Sequence, residues 1–234
     1  MRAVRTLPDG RGSVTPTHSI AASSMRTPEF FYFDLGKVLL DFDHARMLRQ
    51  MAEAAGVPVE VVRLALMPSG DPAAGDPQYL LEAGHLSEDE YYAGLCDRLG
   101  GEPVRADIDL AASDIFSPMD DSLRLLERLR AAGRRLGLLS NTNPIHWRYF
   151  TDGRYPWLNE SFEVLLGSFQ VGAMKPDPAV YAAAVDRSGT PAERVFFVDD
   201  KPENVEGALA CGLDAVLFRG AADLERELAA RGAF

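Results

Sequence analysis

Six polar residues stand where apolar runs of this chain end or turn. Asp34 follows Phe30, Phe31, Tyr32 and Phe33; Ser140 and Asn141 end RLGLLSN; Asp199 and Asp200 close VFFVDD; Lys175 lies in GAMKPDP. A carboxylate delivered in this way, such as Asp34, is a candidate nucleophile. Three carboxylates at one place repel one another unless cations are bound, and Lys175 alone does not neutralise them. A divalent metal is the natural remedy. With oxygen donors only, and neither His nor Cys among the candidates, the hard ion Mg²⁺ is favoured.

The elements that must position these groups follow from periodicity. The run before Asp34 has the continuous apolar character of a strand buried on both faces, and Gly36 breaks it. Further strands are expected at RLGLLS, Phe162–Leu166, Val195–Val198 and Ala215–Phe218, with helices between them ending at Gly133 and Gly212. Lys175 is expected to open the helix that continues through Pro178–Arg187. Strands alternating with helices imply an α/β, doubly wound parallel sheet. Such sheets bind ligands at the carboxyl edge of their strands, so residues distant in sequence share one site.

Between the first strand and the rest, residues 44–115 carry helical signals only. Asp43 suits an N-cap and Gly56 a stop for a helix from His44 to Ala55; Pro58 suits the start of another; Ser87 with Glu90 forms a capping box. The stretch from Pro68 to Pro77 is expected to be a loop. The domain expectation is therefore a core of residues 29–43 and 116–234, an inserted all-helical block at 44–115, and a disordered leader at 1–28.

Composition narrows the function classes. The chain has 234 residues, 47% of them hydrophobic and 25% charged, as in globular proteins. Its net charge of -11 works against nucleic acid and anionic membrane partners, whose phosphates demand cationic contacts. Two cysteines, Cys96 and Cys211, have no metal-ligand spacing and suit a reducing, cytoplasmic setting. No run of about 18 apolar residues is present. Oligomeric state is not legible.

FDLGKVLLDFD, LLSNTN, MKPDP and VFFVDDKPEN, in that order, resemble the four motifs of the haloacid dehalogenase-like hydrolases, and the helical insertion resembles the cap of their helical-cap subfamily. YLLEAGHLSEDEYY is similar to a stretch of the sugar-phosphate phosphatases acting on glucose 1-phosphate. The resemblance implies a Mg²⁺-dependent phosphomonoester hydrolase acting on a small phosphate ester, a sugar phosphate, through an aspartyl-phosphate on Asp34. It implies that Ser140 and the Asn141 amide hold the phosphoryl oxygens and that Lys175 offsets charge on nucleophile and phosphate. For the metal it implies Asp34, the Gly36 carbonyl and Asp200, with Asp199 direct or acting through water, and Asn204 bracing the last loop.

One position departs from the family. Most phosphatases of this kind carry a second Asp two residues after the nucleophile as general acid and base, and here that position is Gly36. Loss of such a group costs about 10² to 10⁴ in rate if nothing replaces it. Either the leaving group departs with little protonation, or another acid enters, with Asp41, Asp43 and His44 nearest in sequence. Two alternative functions follow: a 2-haloacid dehalogenase, whose departing halide needs no proton, or a phosphate-binding module with weakened catalysis.

Taken singly, Asp34, Asp199 and Asp200 are as well explained as turn or capping residues, and Ser140 with Asn141 as turn formers. Together, at strand ends and in order, they favour a site. Outside the motifs the structural explanation leads: His44 exposed in a first helical turn, His85 on the surface, His146 following a turn, Lys37 solvated, and Trp147 and Trp157 in packing.

Overall fold

The structure, a computed structural model, describes residues 27–69 and 75–234. The leader expected at 1–28 therefore lies almost wholly outside the described residues, as does the middle of the loop expected between Pro68 and Pro77.

Five parallel strands form the central sheet: β1 (Phe30–Phe33), β4 (Arg135–Ser140), β5 (Val164–Gly167), β6 (Val195–Asp199) and β7 (Asp214–Leu217), in the order β5-β4-β1-β6-β7. The α/β expectation holds. The chain builds outward from β1 through β4 to β5, then crosses back to β6 and β7 on the other side. Strand order thus reverses at β1, where a cleft opens at the carboxyl edge. Parallel register sets Phe33 beside Leu138 of β4 and Val198 of β6, so the chain leaves all three strands at nearly one level.

Both faces of β1 are covered, which is why its sequence is apolar without alternation. Phe31 and Phe33 pack with Leu136, Leu138, Phe196 and Val198 under helices α6 (Asp120–Ala131) and α11 (Ala221–Ala230). Phe30 and Tyr32 face the other way, against α9 (Pro178–Ser188) and α10 (Pro202–Ala210). Gly137 lies in β4 because a Cβ there would run into the Phe30 and Tyr32 rings.

Helices α1 (His44–Ala55), α2 (Val59–Leu66), α3 (Pro77–Glu82), α4 (Glu88–Leu99) and α5 (Arg105–Ser113) pack around a cluster of their own, with Met51, Val62, Leu66, Leu81, Leu95 and Ile108 at its centre. The Asp43 cap, the left-handed Gly56 stop and the Ser87–Glu90 capping box all form as the sequence suggests. A two-stranded antiparallel ribbon, β2 (Leu40–Phe42) with β3 (Phe116–Pro118), ties both ends of this block to the core. Two short helices, α7 (Pro144–Thr151) and α8 (Pro156–Ser161), follow β4.

Helix α3 is also fixed to the core at its end. The Ser168 hydroxyl lies 2.6 Å from the Glu82 carbonyl oxygen, and His85 Nε2 lies 2.9 Å from the Gly172 carbonyl oxygen. The loop that carries Lys175 is thereby linked to the helical block above it. One expectation is corrected here: Lys175 does not open a helix. Asp177 caps α9, accepting from the Ala179 N–H, and Lys175 precedes it on the loop.

Candidate active site

β1 delivers Asp34 in a fixed orientation. Its backbone N–H donates to the Val198 carbonyl at 2.9 Å, continuing the β1–β6 ladder, and its Oδ1 accepts from the Leu35 N–H at 2.8 Å. The chain then turns tightly: Leu39 and Leu40 both donate back to the Leu35 carbonyl, and Lys37 adopts a left-handed φ of 59°. The Lys37 ammonium is drawn to Asp41 and the Phe42 carbonyl, away from Asp34.

Lys175 is the electrostatic centre of the site. Its buried ammonium has three donors and three partners: Leu139 O at 2.8 Å, Asp199 Oδ2 at 2.6 Å and Asp34 Oδ1 at 2.9 Å. Burial alone would pull this ammonium down, but Asp34 and Asp199 more than offset it and its pKa is raised. Asn141 positions the lysine: its Oδ1 accepts from the Lys175 N–H at 2.8 Å and its Nδ2 donates to the Lys175 carbonyl at 2.9 Å. Both ends of the Asn141 side chain are therefore committed to that loop. This bracing was not foreseen, and the only sequence signal for it was an Asn ending a buried strand.

Asp199 is fully buried and saturated. Its Oδ2 meets Lys175, and its Oδ1 accepts from the Lys201 N–H and from Asn204 Nδ2, both at 2.9 Å. Asn204 braces the last loop, as expected. Asp200 is different: it is half-buried, and among the described residues no hydrogen bond or ion pair to another residue engages its carboxylate. Burial and the Asp199 charge raise its pKa. Burial likewise pushes the Asp34 carboxyl up, to about 7, against the pull of Lys175 and with Asp199 and Asp200 adding to the rise. The hydroxyl of Ser140, at the end of β4, makes no hydrogen bond among the described residues.

One carboxylate oxygen from each of Asp34, Asp199 and Asp200 lies within 4.8 Å of the others. Among the described residues, Lys175 is the only buried cation in contact with these three carboxylates, so the cluster carries excess negative charge. An all-oxygen set with an open carboxylate on Asp200 and a free second oxygen on Asp34 suits a hard divalent ion.

Gly36 has a physical explanation. A Cβ at this position would approach the Phe42 ring to 2.8 Å, so an aromatic ring from β2 stands where an acidic side chain would begin. Of the substitutes considered, Asp43 is spent capping α1 and Asp41 is engaged by Lys37. His44 packs against Phe42 in a tilted arrangement with ring centroids 4.8 Å apart and borders the cleft, with burial and Lys37 lowering its pKa. His146 borders the same cleft, but Nδ1 faces Asn143 Nδ2 and Nε2 faces Ala112 O, each at 3.2 Å. Burial lowers its pKa to about 4. His85 is exposed, and Trp147 and Trp157 pack against the core.

The cleft itself, about 270 Å³, lies between the sheet edge and the helical block. Leu35, Gly36, Ser140 and Asn141 border it below, and α1, α2 and α3 above.

A parallel α/β sheet with carboxylates at two adjacent strand ends and a lysine on a neighbouring loop, beneath a helical insertion, defines a class of hydrolases. The chain belongs to that class: the haloacid dehalogenase-like hydrolase family profile matches residues 30–212. Its relatives include the D-ribitol-5-phosphate phosphatase of Bacteroides thetaiotaomicron, 30% identical over 63% of this chain and 74% of the relative. Phosphatase MT3486 of Mycobacterium tuberculosis is 30% identical over 79% of this chain and 84% of its own length. Drimenol cyclase drtB of Aspergillus calidoustus is also 30% identical over 63% of this chain, but that match spans only 28% of the cyclase. A solved HAD family enzyme from B. thetaiotaomicron, in complex with magnesium and inorganic phosphate, has the same fold: TM-score 0.70, 23% identity, 81% of this chain and 93% of that one. Phosphatases among the relatives mark the chain as a HAD-type phosphatase.

Proposed function

We infer that the chain is a Mg²⁺-dependent phosphomonoester hydrolase acting on a small phosphate ester in the cytoplasm. The observation that carries this is the pairing of Asp34 with Lys175 beside the open carboxylate of Asp200. Asp34, Asp200 and the Gly36 carbonyl would hold the ion, with Asp199 acting through water because its oxygens are occupied. Bound there, the ion would offset charge on nucleophile and phosphate.

The chain's own residues do the rest. Lys175 anchors the Asp34 carboxylate through Oδ1, and Asp34 attacks phosphorus: its O–P bond forms as the ester P–O bond breaks, and the alkoxide leaves with a proton from water. A water then hydrolyses the aspartyl-phosphate to inorganic phosphate and restores Asp34. The Ser140 hydroxyl and the Asn141 backbone amide receive phosphoryl oxygens, while the Asn141 side chain keeps Lys175 in place. Phe42 beside Gly36 keeps the conventional proton donor out. The sugar-phosphate expectation rests on the resemblance and on the name of the Bacteroides relative.

The test is phosphate release from p-nitrophenyl phosphate and acetyl phosphate with Mg²⁺ and with EDTA. Activity is expected only with the metal and not in Asp34→Asn. Full turnover by Asp34→Asn would refute the covalent route. Chloride release from chloroacetate in EDTA would favour the dehalogenase alternative, for which the open carboxylate of Asp200 has no use.

A further inference from the structure

The wall of the cleft above the phosphate position is apolar. Phe42, Met47, Leu48, Leu66, Met67 and Phe116 line it, drawn from β2, α1, α2 with its C-cap, and β3. Of the polar side chains that share the cleft, three are already engaged, while His44, Tyr79, Ser140, Thr142 and Lys201 border it too. Asn141 is spent on the Lys175 backbone, and both ring nitrogens of His146 face partners. Gln78 donates to Glu82 at 2.8 Å and faces the Tyr91 hydroxyl at 3.2 Å. A sugar carries several hydroxyls, each of which loses water on entry, and such groups left unpaired weaken binding strongly.

We propose that the preferred substrate of this site is the phosphate monoester of an apolar alcohol of about ten carbons, not a sugar phosphate. This rests on the phosphatase reading and refines it. The size follows from the volume: 270 Å³ is the share of about nine liquid waters, room for a leaving group of about ten heavy atoms. The chemistry follows from the Met, Leu and Phe wall, whose flexible thioethers adapt to an aliphatic chain.

The test uses unbranched alkyl phosphates from four to twelve carbons, below their aggregation concentrations, with glucose 1-phosphate and acetyl phosphate alongside. Leaving-group basicity is nearly constant along the alkyl series, so the trend reports contact with the wall. kcat/KM should rise about threefold to fourfold per methylene until about ten carbons and then level off. Glucose 1-phosphate should lie about 100-fold or more below decyl phosphate. Leu48→Gln and Met67→Gln, at partly buried lining positions, should each lower decyl phosphate turnover about tenfold relative to acetyl phosphate turnover. Glucose 1-phosphate equal to or better than decyl phosphate, or a flat alkyl series, would overturn the proposal and leave the phosphatase reading standing. Absence of Mg²⁺-dependent phosphate release from every compound, acetyl phosphate included, would overturn both.

Discussion

Replacing Lys175 by Met tests the electrostatic centre without altering side-chain bulk much. The wild-type ammonium is 1% exposed and sits between Asp199, 0% exposed, and Asp34, 11% exposed. Removing it strands two buried carboxylates and also leaves the Leu139 carbonyl without this donor. Breaking a buried ion pair from one side costs about 3–5 kcal/mol. In EDTA at pH 8, denaturant unfolding followed by fluorescence of Trp147 and Trp157 should show a loss of that size. The loss should shrink as pH falls towards 5, because the raised pKa of Asp34 lets it shed its charge by taking a proton. Adding Asp199→Asn should recover part of the loss, giving a coupling energy of about 1.5–3 kcal/mol in a double-mutant cycle. A Lys175→Met protein within 1 kcal/mol of wild type at pH 8, or additive effects of the two substitutions, would refute the network.

Three further outcomes follow. Gly36→Asp should not restore a general acid by itself, because its Cβ collides with Phe42; a melting-temperature loss equivalent to about 1–3 kcal/mol is expected, relieved when Phe42→Leu is added. Stability should fall as pH drops from about 6.5 to 4, since unfolded chains protonate His146 in that window and folded ones do not. The contribution is about 2–3 kcal/mol, and His146→Gln should flatten that part of a pH series of urea midpoints. Ser87→Ala should cost about 0.5–2 kcal/mol through the capping box, with no change in kcat/KM for acetyl phosphate.

What the sequence disclosed and what it hid have physical causes. Asp34, Ser140 and Asp199 were legible because a strand buried on both faces is written as an unbroken apolar run, so its first polar residue marks the carboxyl edge. The helical block was legible through local chemistry: an Asp cap, a Gly stop, a Ser–Glu box. The β2–β3 ribbon was not, since each strand has three residues and its pairing joins positions far apart in the chain. Helices α7 and α8, of eight and six residues, are too short for a periodic signal. Lys175 was misread as opening a helix because MKPDP looks like a helix start, whereas Asp177 makes the cap. The Asn141 brace, the saturation of Asp199 and the Phe42 ring over Gly36 are side-chain contacts between strand ends, and no local pattern encodes them.

The central claim is that Asp34 carries the phosphoryl group. An acid-quenched single turnover with radiolabelled acetyl phosphate and Mg²⁺ tests it most directly. The account predicts label on the peptide containing Asp34, released by hydroxylamine as an acyl phosphate is, absent in EDTA and absent in Asp34→Asn. Phosphate release at the wild-type rate with label on another residue, or with Asp34→Asn as active as wild type, would contradict it.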